Sequence, residues 1–182
     1  MEGFCLKKVN MKVKKGYLML EVCISMGTMF IIISIIYWIF FSSLSIYKRI
    51  NSSVEIQQQG IEIQGHVEKE LCDGIEIISV KTRENNIINS RDFDITNVIS
   101  IKYKPINRDA GLGLDELYLN TRSNKIFIKR RNAASGYEIG DYLDNIYISK
   151  KKDGKIVNIE LKLSKNTQKY FNKFTMYQNQ KM

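Results

Sequence analysis

Between Lys14 and Phe41 the chain reads KKGYLMLEVCISMGTMFIIISIIYWIFF, and this stretch restricts the possible folds more than any other. Two lysines and a glycine precede Tyr17 to Phe41, twenty-five residues that hold a single charged side chain, Glu21. As a helix rising about 1.5 Å per residue, the run is about 37 Å long, enough to span a bilayer core of about 30 Å with some tilt. A membrane anchor explains that length. It does not explain a carboxylate five residues into the run, because placing an acid in hydrocarbon costs at least about 2.5 kcal/mol. Glu21 therefore needs a cation, and no basic residue lies between Tyr17 and Phe41. A cut between Gly16 and Tyr17 would supply one, the new amine of Tyr17, four residues before Glu21.

Basic residues, Gly16, an aromatic at Tyr17, three apolar residues, Glu21 and then about twenty apolar residues form an order that resembles the class III signal of type IV prepilins and pseudopilins. The resemblance covers roughly residues 12–41, and Tyr17 stands where the family usually has phenylalanine. It implies cleavage after Gly16 by a prepilin peptidase, methylation of the Tyr17 amine, and neutralisation of that amine by Glu21 of a neighbouring subunit. The implied fold is α+β and pilin-like: a long N-terminal transmembrane helix packed against a C-terminal antiparallel β-sheet domain. The implied role is structural, most simply that of a minor pseudopilin in a type II secretion, competence or type IV pilus system. Its partners would be the peptidase, other pilin or pseudopilin subunits, and the membrane. The rival reading is a single-pass anchored binding or sensor protein with no processing; a third is an exported domain released near Ser45.

Four segments follow: a basic leader at 1–16, the transmembrane part of the helix at 17–41, its amphipathic continuation at 42–72, and an exported β-rich domain at 73–182. Lysines before a membrane span hold that end in the cytoplasm, which puts the C-terminal domain outside. Of the formal charge of +9, the five lysines of residues 1–16 against Glu2 supply +4, leaving +5 on the remainder. That moderate surplus suits a solvated surface, with weak nucleic-acid contact as an alternative use.

Apolar residues continue past Phe41 at helical spacing. Ile46, Ile50, Val54 and Ile61 make one stripe, and Ile56, Ile63, Val67 and Leu71 an adjoining one. The sum is one helix from Tyr17 to about Leu71. From Asp73 the period changes to two. Ile75 to Val80 reads as a strand, residues 81–97 as a loop, and Val98 to Lys104 as a strand with Ile99, Ile101 and Tyr103 on one face. Glu116 to Thr121 and Lys125 to Arg130 read as a hairpin with Leu117 and Leu119 facing Ile126 and Ile128. Asn145 to Lys151 leads into Asp153-Gly154, a pair favoured in tight hairpin turns. The return strand turns Val157, Ile159, Leu161 and Leu163 inward. Tyr170 to Met182 reads as a last edge strand or a tail.

Chemistry-bearing residues are sparse. His66 is the sole histidine, with Glu62 and Glu70 one turn away. Asp141 and Asp144, and the stretch Asp109 to Glu116, are the nearest approaches to a calcium loop, but neither has the acidic density of a strong site. The lysine runs around Lys129 and at Lys150 to Lys152 read as solvated strand edges. The three cysteines, Cys5, Cys23 and Cys72, form no framework, since Cys23 and Cys72 would lie about 70 Å apart on one helix. No catalytic set, phosphate loop, metal site or cofactor motif emerges, and the chain reads as the substrate of an enzyme instead of one.

Overall fold

The computed structural model describes residues 11–72, 74–105, 113–131 and 133–178. One helix, α1 (Met11–Cys72, 62 residues), is followed by nine strands. They are β1 (Gly74–Thr82), β2 (Ile87–Ile88), β3 (Phe93–Pro105), β4 (Asp115–Asn120), β5 (Lys125–Lys129), β6 (Tyr137–Gly140), β7 (Leu143–Lys151), β8 (Ile156–Lys165) and β9 (Gln168–Tyr177). This is a long apolar N-terminal helix and an antiparallel sheet, an α+β layout. The chain parts into two compact units at Lys48 and Arg49.

In the first unit every residue from Tyr17 to Phe41 is exposed. The stretch is long and apolar enough to cross a membrane, with a mean hydropathy of 2.2 over its best window. Two of its hydroxyls bond back to the helix: Thr28 donates to the Ser25 carbonyl at 2.9 Å, and Ser34 to the Phe30 carbonyl at 2.8 Å. Ser42 and Ser43 lie inside α1, as do residues 11–15 of the expected leader; residues 1–10, with Cys5, lie outside the described residues.

In the second unit Ile56, Ile63, Val67 and Leu71 bury one stripe of α1 against the sheet. The other stripe stays out: Ile50, Val54 and Ile61 are more than half exposed. Two glycines let helix and sheet approach closely. A Cβ on Gly140 would lie 2.3 Å from Ile63 Cγ1, and one on Gly60 would lie 2.3 Å from the Tyr170 ring.

The sheet branches at β3. Val98 pairs with Thr82 of β1 and with Ile146 of β7; Ile101 pairs with Val80 of β1 and with Leu117 of β4. β1 thus holds one edge of β3, while β7 and β4 share the other in succession. From there β4-β5-β6 and β7-β8-β9 extend as two wings. Both expected hairpins form, with Leu117 opposite Ile128, Leu119 opposite Ile126, and the inward set of β8 fully buried.

Four expectations need correction. Residues 81–97 are not all loop: β1 runs to Thr82, β2 intervenes, and Phe93 to Val98 pair with β7. Ile99 does not face the core. Lys81 pairs with Ser100 and Thr82 with Val98, so Ile99 is the extra residue of a bulge, and it turns outward beside Ser100. The β7–β8 turn is longer than a two-residue one, with Lys152, Asp153 and Gly154 all at positive φ. The Asp92 carboxylate fastens it, accepting from the Gly154 N–H at 3.1 Å and the Asp153 N–H at 3.3 Å. Finally β6 was unforeseen, and β9 begins at Gln168, two residues after a tight turn at Asn166. Asp73 and residues 179–182 lie outside the described residues.

Candidate functional site

The sequence pointed to Gly16, Tyr17 and Glu21. All three belong to the first turns of α1, where a glycine lowers the cost of local opening by about 1 kcal/mol. Tyr17 is 74% exposed. Glu21 is exposed too, and among the described residues it makes no hydrogen bond or ion pair. Its neighbours on the helix surface, three and four residues away, are Tyr17, Leu18, Ile24 and Ser25, all exposed. A shallow apolar groove farther along the same unit is lined by Phe30, Ile31, Ser34, Ile35 and Trp38.

A second constellation was not foreseen. Glu70 sits in the last turn of α1, Arg130 just beyond β5, Asp115 at the start of β4, and Tyr103 in β3. The Arg130 guanidinium grips both Glu70 oxygens, at 2.5 and 2.6 Å, and reaches Asp115 Oδ2 at 2.9 Å. Tyr103 donates its hydroxyl to Glu70 Oε2 at 2.8 Å, and the Arg131 N–H donates to Asp115 Oδ1 at 3.0 Å. Asp115 and Tyr103 are completely buried. Burial first, and then the Glu70 carboxylate, push the Tyr103 phenol far above its usual range. The hydrogen bonds it donates to Glu70 hold the Arg130 guanidinium above its ordinary value. Every participant is engaged by another, so the cluster fixes the end of the helix onto three strands and offers no open position for a reacting group. A sequence signal existed only in retrospect: Glu70 lies next to Leu71, whose stripe is buried.

A smaller cluster fastens the same helix nearer its middle. Lys165 pairs with Glu55 while lying 4.5 Å above the Tyr142 ring, and the Tyr142 hydroxyl donates to Glu55 at 3.0 Å. The hydrogen bond from Lys165 holds the Glu55 carboxyl below its usual value.

The remaining candidates do not converge. His66 is exposed, and Glu62 is taken by Gln58 and Gln59. Asp141 faces Lys125 at 3.3 Å, and Asp144 accepts from Asn124 at 3.1 Å. Asp109 lies outside the described residues; Asp115 belongs to Arg130, and Glu116 accepts from the Ser100 hydroxyl. Among the described residues no three His, Cys, Asp or Glu side chains are grouped to hold a metal. Cys23 and Cys72 are exposed. Lys150 is a correction to the reading of a solvated run: it is 2% exposed, and its ammonium donates to the Ile77 carbonyl at 2.9 Å. Burial lowers its pKa.

Comparisons with protein-family models, with curated proteins and with solved structures found no match.

Proposed function

We propose that the chain is a structural subunit of a type IV pilus-like filament, serving type II secretion, competence or a type IV pilus. Prepilin peptidase cuts after Gly16 on the cytoplasmic side, the Tyr17 amine is methylated, and the subunit waits in the membrane with its sheet domain outside. During assembly Glu21 of one subunit meets the amine of another. At about 4 Å and an intermediate dielectric, such a pair attracts by about 4 kcal/mol, enough to set register as helices leave the bilayer.

The observation that carries this reading is Glu21 itself, the one carboxylate in the stretch from Tyr17 to Phe41, whose apolar side chains are all exposed. Apolar surface of that extent has to be covered by lipid or by other chains. The outward stripe of Ile50, Val54 and Ile61 adds to it, because the sheet needs only the other stripe.

Intact-mass analysis tests the reading. Protein purified from cells that contain a prepilin peptidase should begin at Tyr17 with the mass of one added methyl, and protein from cells without it should keep Met1. A chain that keeps Met1 in both would mean an unprocessed anchored protein, and a terminus near Ile46 an exported domain.

A further inference from the structure

The outer face of strands β1, β3, β4 and β5 carries a feature outside the role proposed above. Two adjoining depressions, of about 300 and 270 Å³, share Glu116 and Lys129 as walls. The first is also lined by Lys81, Ser100 and Tyr118, the second by Lys102 and Arg131. The strand register assembles them. Lys81, Ser100, Tyr118 and Phe127 lie on one cross-strand row, and Lys102, Glu116 and Lys129 on the next. With strands about 4.8 Å apart, Lys102 and Lys129 stand about 10 Å apart on either side of Glu116.

Three lysines, Lys81, Lys102 and Lys129, thus face one carboxylate, and that carboxylate already accepts the Ser100 hydroxyl. Among the described residues Lys81, Lys102 and Lys129 form no ion pair. This contrasts with Lys125, Lys165 and Lys173, each of which has a carboxylate partner. Tyr118 contributes an aromatic wall. Phe127 stacks on it with centroids 5.2 Å apart and planes 13° from parallel, and Gly136 lets the ring lie close against the chain. Each depression is at or below the small end of the usual range for compact ligands, about 300–1,000 Å³. Joined end to end, they suit an extended ligand.

We infer that this groove binds a single-stranded nucleic acid, with Lys81, Lys102 and Lys129 on phosphates and a base against Tyr118. Unpaired lysines track a phosphodiester backbone, and an aromatic wall gives a base something to stack on, the two elements that sequence-tolerant strand binding requires. An anionic bilayer would use the lysines but not the recessed ring. The inference does not depend on the filament reading.

The test uses the full chain in neutral detergent micelles and a fluorescent oligothymidine of about 16 nucleotides. Anisotropy is followed from about 50 to about 200 mM salt. With three phosphate contacts, the logarithm of affinity should fall against the logarithm of salt with a slope of about −2. The triple variant K81Q/K102Q/K129Q should bind at least about tenfold more weakly at the lowest salt and lose most of the slope. The equally discharged variant K151Q/K155Q/K169Q, altered at exposed lysines outside the groove, should bind like the wild type. Tyr118→Leu should weaken oligothymidine binding about fivefold to tenfold while leaving inorganic polyphosphate binding unchanged. Thermal melting curves matching the wild type confirm that each variant is folded. Equal losses in both triple variants would reduce the groove to general charge and overturn the inference. So would vesicles of phosphatidylglycerol binding in place of the oligonucleotide, or Tyr118→Leu binding it undiminished.

Discussion

From Tyr17 to Phe41 every side chain of α1 is exposed, whereas between Ile56 and Leu71 each core-facing position is sealed against the sheet. Both regions are isoleucine-rich helix. They differ in what surrounds the apolar residues. The first has apolar side chains all round, which a single chain of this size cannot cover, so its partner has to come from elsewhere. The second sets Glu55, Gln58, Glu62 and Glu68 between its isoleucines, so one stripe goes inward and the rest meets water. Charge follows the same division. Glu70 in the second region is met by Arg130 and Tyr103, while Glu21 in the first has no partner among the described residues. An acid supplied with its cation inside the chain helps to hold a fold; under the proposed function, the acid left without one is kept for assembly.

The largest test of this contrast is Arg130→Met. It takes the Arg130 guanidinium away from Glu70 and from the fully buried Asp115, and urea unfolding of the domain should show a loss of about 3 kcal/mol or more. Glu21→Ala should leave the same transition where it is. Next come two isoleucines two residues apart. Ile63→Ala opens a cavity in the core and should cost about 2–4 kcal/mol, while Ile61→Ala, 62% exposed, should stay within about 0.5 kcal/mol in the same melt.

Glycines give a finer comparison. Gly140→Ala drives a methyl into Ile63 and should cost about 1–3 kcal/mol. Gly65 has open space around it, so Gly65→Ala should raise the melting temperature, by at most about 1 kcal/mol of stability. The smallest effect concerns Lys150. Burial depresses its folded pKa below the unfolded value of 10.5, so between those two values the unfolded chain binds more protons. Stability of the wild type relative to Lys150→Met should therefore rise as pH increases from 7 toward 10.5. Paired denaturant titrations at pH 7 and pH 10 would read that difference, and an unchanged or falling difference would refute the assignment.

The sequence made the helix, its inward stripe and the two hairpins legible because periodicity and turn chemistry act locally. Val157, Ile159, Leu161 and Leu163 alternate without interruption, and both faces could be read from them alone. What stayed hidden depends on distant partners. Tyr137–Gly140 is four residues with no alternation, and it is a strand only because β5 lies beside it. Ile99 fits an ideal alternation, yet the register with β1 inserts a bulge there. Lys150 reads as a solvated lysine near the end of its strand, but the pleat of β7 aims it inward. Glu70 resembles any other helix-surface glutamate until β4 and β5 bring Asp115 and Arg130 to it. At the candidate site a lone acid in an apolar run stands out in the sequence, and a single chain shows that acid exposed without showing a partner for it.

The most direct measurement is the fate of Glu21→Ala in cells that carry the peptidase and the assembly machinery. Sheared filaments and membranes are separated, and the subunit is quantified in each by immunoblot alongside its N-terminal mass. The expected result is a chain cut after Gly16 in normal yield, retained in the membrane and absent from the sheared fraction. A Glu21→Ala subunit found in filaments at the wild-type level would contradict the role given to that carboxylate.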